Sequence, residues 1–174
     1  MSAASIHRMS VRRIDWSQVL FGGLLVAVGD IVFATTLWFS WDAPGLQRVF
    51  QTIAVGVLGP ASFDGGASTA VLGAVLHMFM TTMFVVVYTL AARRRPHLLA
   101  RPVVLGAPYG VVLYVVMNFV VMPLSRVGRS PSFDHPDWIF YSVLAHMLFG
   151  VVCVLFARRA LARRTLRASA FPMT

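Results

Sequence analysis

Hydrophobic residues come in four long runs that short polar segments separate. The runs cover residues 16–41, 67–92, 102–122 and 138–157. Each is long enough to cross a bilayer core, which takes about 20 residues of helix. Backbone groups inside lipid find no water and must bond to one another, so such spans are helices. The pattern therefore predicts an all-α fold of four transmembrane helices, arranged as two hairpins in a domain of residues 15–157.

A shorter pattern occupies the connection between the first two runs. Between residues 46 and 58, apolar positions recur at helical spacing and polar positions lie opposite them. The apolar positions are Leu46, Val49, Phe50, Ile53 and Val57, and the polar ones are Gln47, Arg48, Gln51 and Thr52. This spacing predicts a short external amphipathic helix in the membrane interface, which Gly59-Pro60 ends.

The composition agrees with a lipid environment. Hydrophobic residues make up 58% of the chain and charged residues 12%, against about 25% charged in an average soluble domain. The bilayer is therefore the first expected partner.

The net charge of +9 is explained by where the basic residues lie. Of the 15, three precede the first run, four lie between the second and third runs, and five follow the last run. Basic residues concentrate on the cytoplasmic side of membrane proteins. We therefore predict a multi-pass protein of the bacterial inner membrane, with cytoplasmic basic tails at 1–14 and 158–174. Nucleic acid is not needed to explain the charge and is not an expected partner.

Two stretches of the chain resemble each other. Residues 62–78 and 132–147 both contain Ser-Phe-Asp, an apolar run and His-Met, with the serines 70 positions apart and the histidines 69. Asp64 and Asp134 are predicted to cap the helices that follow them. The shared order and spacing suggest a tandem duplication of one helical hairpin.

Each run carries one polar side chain at a comparable depth. At 1.5 Å per helical residue from the flanking polar segments, all four lie in the outer half of the bilayer. We call these residues the polar layer: Asp30, His77, Asn118 and His146. Small and polar residues on the same helix faces mark them as facing other helices. A secondary polar lining is predicted from Thr81, Tyr88, Tyr114 and Ser142.

Four interpretations of the polar layer remain open. The side chains can bond helix to helix, at about 0.6–2 kcal/mol per contact. They can surround a small polar solute or proton, since ionisable residues within a membrane are costly and usually functional. His77 and His146 can bind haem b from its two faces. Asp30, His77 and His146 can hold a divalent metal ion.

Short motifs along residues 15–157 resemble a known group of proteins. The motifs are Gln51-Thr52-Ile53-Ala54, Gly59-Pro60-Ala61, Phe63, Gly65-Gly66, Leu72-Gly73, Leu76-His77, Tyr88, Tyr109-Gly110, Tyr114, Met117-Asn118-Phe119-Val120-Val121 and Pro123-Leu124-Ser125. The chain resembles a widespread family of uncharacterised bacterial four-helix inner-membrane proteins and, more distantly, the YagU-like proteins. The resemblance implies the fold and location, places His77 and Asn118 inside the motif, and carries no established activity.

The sequence therefore predicts a non-enzymatic membrane component without catalytic residues. Such a protein would partner other membrane proteins or enclose a small polar site. Because four helices enclose little space, we also expect homo-oligomers. The alternative is a haem- or metal-binding redox protein that uses His77 and His146.

Overall fold

The computed structural model describes residues 14–39, 41–128 and 134–162, and in these ranges the chain is helical with no β-strand. Four of its helices are long and apolar enough to cross a membrane. They are α1 (Trp16–Trp38), α3 (Gly66–Arg94), the segment Pro102–Leu124 and α6 (Pro136–Ala160). The prediction of an all-α protein with four transmembrane helices is confirmed. Most of the two basic tails lies outside the described residues.

The first connection contains the predicted extra helix, α2 (Ala43–Leu58). It begins three residues before the predicted start because the Asp42 side chain accepts a hydrogen bond from the Gly45 backbone N–H at 2.8 Å. A proline in the first turn also favours this start. Helix α1 ends at Trp38, short of the predicted residue 41.

The predicted Asp64 cap of α3 is wrong, and α6 begins one residue later than a cap at Asp134 would place it. The N-cap of α3 is Gly65 and that of α6 is His135, and neither makes a side-chain capping bond. Asp64 instead follows a short 3₁₀ helix, Gly59–Phe63, and its backbone N–H donates to the Ala61 carbonyl. Ser62 and Phe63 of the Ser-Phe-Asp motif belong to this 3₁₀ helix and Asp64 ends it, so the whole motif lies before α3 begins. Ser132 and Phe133 of the second motif lie outside the described residues, so the duplication stays a prediction.

The third span is irregular near its end. Helix α4 (Pro102–Val116) continues as a π-helix, Met117–Val121, and then as α5 (Met122–Leu124). The Met122 N–H bonds the carbonyl five residues earlier, at Met117. Pro123 explains the widening, because it has no N–H and its ring crowds the carbonyl four residues before it. The widened turn contains Asn118.

The spans pack as two hairpins that meet along α6. Helix α1 packs on α3 and α6, and α4 packs mainly on α6. Glycines allow the closest approaches: a Cβ on Gly110 of α4 would lie 2.6 Å from the Met147 Cα of α6. A Cβ on Gly23 of α1 would lie 2.7 Å from the Thr82 Cα of α3. Small residues that let backbones approach are typical of helix contacts in lipid.

The outer surface of the bundle is apolar. Large hydrophobic side chains such as Leu20, Val71, Phe79, Val112 and Leu148 are exposed. A membrane solvates such a surface and water does not. We call the end with residues 14–16, 94–102 and 157–162 the arginine end. The opposite end, with α2 and the connections after α2 and α5, is the α2 end.

Helix α2 is fastened to α3 by a buried polar network, and its predicted polar face is partly wrong. Gln51 is only 2% exposed, whereas Val57 is 50% exposed. The Gln51 side-chain amide lies 3.2 Å from the Gly66 carbonyl, and Ser62 Oγ donates to the Gln51 carbonyl at 2.9 Å. Gly73 of α3 lies against the α2 backbone at Phe50. These contacts hold α2 across one end of the bundle.

Candidate functional site

A cavity of about 800 Å³ lies between the four spans and α2. Its lining is mainly apolar and includes four phenylalanine rings, those of Phe33, Phe63, Phe84 and Phe149. Small-molecule sites have volumes of about 300–1,000 Å³ and a similar balance of apolar and polar groups. The cavity therefore has the size and chemistry of a ligand site.

The cavity opens at the α2 end. Its exposed lining residues are Thr52, Val57, Pro60 and Arg126, and all of them belong to α2 or to the connections beside it. Towards the arginine end, the Tyr109 hydroxyl of α4 donates to the Phe84 carbonyl of α3 at 2.8 Å. This bond joins α3 and α4 there, whereas further along α3 and the π-helix that continues α4 both line the cavity.

All four residues of the polar layer line this cavity, one from each span. Asp30 comes from α1, His77 from α3, Asn118 from the π-helix and His146 from α6. The structure therefore places together the residues that the sequence predicted to face one another. Whether they bind a ligand or only stabilise the bundle stays a prediction.

His77 and Asp30 of the polar layer lie beside each other. His77 Nε2 lies 3.6 Å from Asp30 Oδ2 and 3.1 Å from the Ala27 carbonyl oxygen. The His77 side chain is 10% exposed and the Asp30 side chain 33%. His77 thus joins α3 to α1, while the Asp30 carboxylate remains accessible from the cavity.

Asn118 and His146 bond to their own helices. Asn118 Nδ2 donates to the Tyr114 carbonyl at 2.9 Å, and His146 Nδ1 lies 2.8 Å from the Ser142 carbonyl. The Tyr114 ring packs edge-on against the His146 ring, with centroids 5.4 Å apart. These bonds fix the orientation of both side chains within the cavity wall.

The secondary lining is only partly as predicted. Thr81 and Ser142 line the cavity. Tyr114 does not line it but supports His146, and Tyr88 lies near the arginine end, where its hydroxyl donates to the Leu98 carbonyl at 2.7 Å. Tyr88 shares a face of α3 with His77 but lies 11 residues, or about 16 Å, further along the helix, which places it beyond the cavity.

The geometry gives limited support to a metal or haem centre. In the described ranges, no three His, Cys, Asp or Glu side chains are grouped as they would be around a metal ion. His77 Nε2, the usual histidine nitrogen for haem iron, faces the Ala27 carbonyl and Asp30. Haem binding would require the His77 ring to leave that contact.

Sequence reasoning missed the rim of the cavity. Arg126 follows α5, lines the cavity and is exposed, and its backbone N–H donates to the Gly56 carbonyl at 3.0 Å. Ser125 lies beside it and also lines the cavity. Pro123 could have indicated this rim in the sequence. A proline near the end of a span makes the helix irregular and so changes the direction of the residues that follow it.

Comparisons with protein-family models, curated proteins and solved structures find no match for this chain.

Proposed function

We propose that the protein is a non-enzymatic integral membrane protein that binds a small molecule in the cavity, with a polar group of the ligand at the polar layer. One observation carries this proposal: each of the four spans contributes a residue of the polar layer to the same cavity. Polar and ionisable groups are costly inside a membrane and usually serve a function there.

The hydrogen bonds of the polar layer favour binding over helix-to-helix contact. Asn118 and His146 bond to carbonyls of their own helices, four residues earlier. Among the hydrogen bonds and ion pairs of the polar layer, those of His77 join two helices, and His146 adds a ring contact to Tyr114 of α4. A layer that served only to join helices would be expected to direct more of its bonds across the bundle.

The proposal includes location and partners. We place the protein in the bacterial inner membrane with the arginine end in the cytoplasm, because basic residues concentrate there. The cavity then opens on the outer side, and α2 is the external interfacial helix. The motifs of the sequence support membership in the four-helix family that it resembles. The exposed apolar helix faces would also accept a second copy or another membrane protein.

The test is to identify what purifies with the protein. Wild-type protein is isolated in mild detergent, and its bound small molecules are extracted and compared by mass spectrometry with those of Gly56→Leu and Gly56→Ala. Gly56 lines the cavity, and a Cβ there meets Ser125 at an ordinary 3.7 Å. The alanine variant should therefore keep the ligand, and the leucine variant, which narrows the opening, should lose it.

The proposal is contradicted if the wild-type, Gly56→Ala and Gly56→Leu proteins all yield the same bound compounds in the same amounts. Such a result would leave the polar layer as a structural feature of the bundle.

Haem is the second candidate, because two histidines on different spans line the same cavity. A reduced-minus-oxidised absorption spectrum, recorded after expression with added haem precursor, tests it. We expect no b-type band. A band near one haem per chain that disappears in both His77→Ala and His146→Ala would replace our proposal with the redox alternative.

A further inference from the structure

We propose that the ligand is an amphiphilic amine, bound in its ammonium form with the nitrogen at the polar layer and the apolar part among the phenylalanine rings. This inference rests on the proposed function and names the chemical class of its ligand. The ligand class follows from the hydrogen bonds around the polar layer: most of its donors already bond to backbone carbonyls, and its acceptors remain available to a ligand.

His146 is an acceptor towards the cavity. Its Nδ1 lies 2.8 Å from the Ser142 carbonyl oxygen. A carbonyl oxygen only accepts, so Nδ1 carries the proton. In the neutral ring, Nε2 then has a free lone pair, and His146 lines the cavity.

Asn118 and Thr81 also direct protons to the backbone. Asn118 must present Nδ2 to the Tyr114 carbonyl, which leaves the amide oxygen as an acceptor and one Nδ2 proton unused. The Thr81 hydroxyl lies 3.1 Å from both the His77 and the Met78 carbonyl oxygens, to which it donates, and so it keeps its lone pairs.

Asp30 supplies negative charge and further acceptors. Its carboxylate is an acceptor when ionised. His77 Nε2 lies nearer to the Ala27 carbonyl oxygen, at 3.1 Å, than to Asp30 Oδ2, at 3.6 Å, so a proton on Nε2 goes first to the carbonyl. The Asp30 side chain is also 33% exposed, so it has room for a second partner.

The polar layer is thus rich in acceptors, and an apolar cavity surrounds it. Buried acceptors are costly unless a donor reaches them, and an ammonium group has donors and no acceptor. Its charge also pairs with Asp30, and the faces of aromatic rings attract cations. An anionic head group would meet the Asp30 charge and unpaired acceptors. Arg126 opposes a cation only from the exposed rim, where water and salt screen its charge.

Four ligands with the same ten-carbon chain test the head group. Wild-type protein in phosphatidylcholine nanodiscs is titrated calorimetrically with decylammonium, decyltrimethylammonium, decanol and decanoate, and empty nanodiscs are subtracted. Decylammonium should bind most tightly, at least about tenfold better than decanol, because it alone combines positive charge with N–H donors. Decyltrimethylammonium should bind more weakly than decylammonium because it lacks N–H donors.

Matched variants locate the ammonium group. Asp30→Asn keeps the size of the side chain and should weaken decylammonium binding by about tenfold or more. Asp137→Asn makes the same change on exposed α6 residue Asp137, outside the cavity, and should leave binding unchanged. Arg126→Gln removes the rim cation and should leave binding equal or stronger. The head-group series on wild-type protein decides the proposal even if a variant fails to fold.

Three results would overturn the amine. Decanoate could bind best and depend on Arg126, which would indicate an anionic ligand held at the rim. Decanol could equal decylammonium with Asp30→Asn silent, which removes the role of the positive charge. Decyltrimethylammonium could equal decylammonium, which removes the role of the N–H donors. In these cases binding that Gly56→Leu abolishes would keep the proposed function. No protein-dependent binding of any of the four would count against both.

Discussion

His77 differs from Asn118 and His146 because its ring bonds to the backbone of another helix, whereas theirs bond to their own helices. Its ring reaches the Ala27 carbonyl of α1 at 3.1 Å, whereas Asn118 bonds within its own span. A contact between spans stabilises the bundle, and a side chain that is held by its own helix contributes little to holding helices together. One layer therefore contains both a structural residue and residues free for a ligand.

This difference predicts unequal effects on stability. His77→Ala should lower the free energy of unfolding by about 1–2 kcal/mol, because a contact between spans is lost. Asn118→Ala and Asp30→Asn should each cost less than about 1 kcal/mol. Thermal or denaturant unfolding of the delipidated protein in detergent measures these changes in the free energy of unfolding. Equal and large losses in all three variants would show that the whole layer is structural.

At the residue scale, the sequence predicted the polar layer but not its surroundings. An acidic, histidine or amide side chain at a similar depth in each apolar span is a visible signal, and all four residues line the cavity. Tyr88 shares the helix face of His77 yet lies near the arginine end, because helical periodicity gives direction and not depth. The aromatic rings of the lining cannot be distinguished in the sequence from those that face lipid.

At the scale of the element, hydropathy located the spans and missed their local irregularities. Apolar length alone predicts a membrane helix, so the four spans were found to within a few residues at most ends. The π-helix at Met117–Val121 and the 3₁₀ turn at Gly59–Phe63 depend on how Pro123 and Pro60 meet their neighbours. Gln51 was predicted to be exposed because its buried partners, Ser62 and Gly66, come from the following turn.

The position of α2 over the cavity depends on Gln51. Gln51→Leu should remove its bonds to the Gly66 carbonyl and neighbouring acceptors and leave these groups buried, at a cost of about 1–3 kcal/mol. Amide hydrogen exchange in α2 should then become faster while α6 is unchanged. Gln47→Leu makes the same change one turn earlier, at an exposed position. If the two variants exchange alike, the buried network does not hold α2 in place.

At the scale of the whole molecule, the two ends of the bundle differ in charge and in access to the cavity. Most arginines of the described residues lie at the arginine end, where the Tyr109 hydroxyl joins α4 to the Phe84 carbonyl of α3. The α2 end carries the rim of the cavity. The positions of the arginines thus predict which side of the membrane a ligand reaches first.

Reporter fusions test this orientation. Alkaline phosphatase, which is active only outside the cytoplasm, should be inactive when inserted in the 93–101 connection and active at Ser130. A cytoplasmic fluorescent reporter should give the reverse pattern. Activity of the phosphatase in the arginine-rich connection would invert the protein and put the cavity opening in the cytoplasm.

The central claim is that the polar layer lines a water-accessible cavity that opens beneath α2, and thiol labelling tests it most directly. The native Cys153, which is fully buried, is first changed to alanine. Ser142→Cys should then react with a small water-soluble methanethiosulfonate at least about tenfold faster than Leu144→Cys on the outer face of α6, because the reactive thiolate forms in water and not in lipid. Adding Gly56→Leu should slow the reaction. Equal rates at the two positions would contradict the cavity.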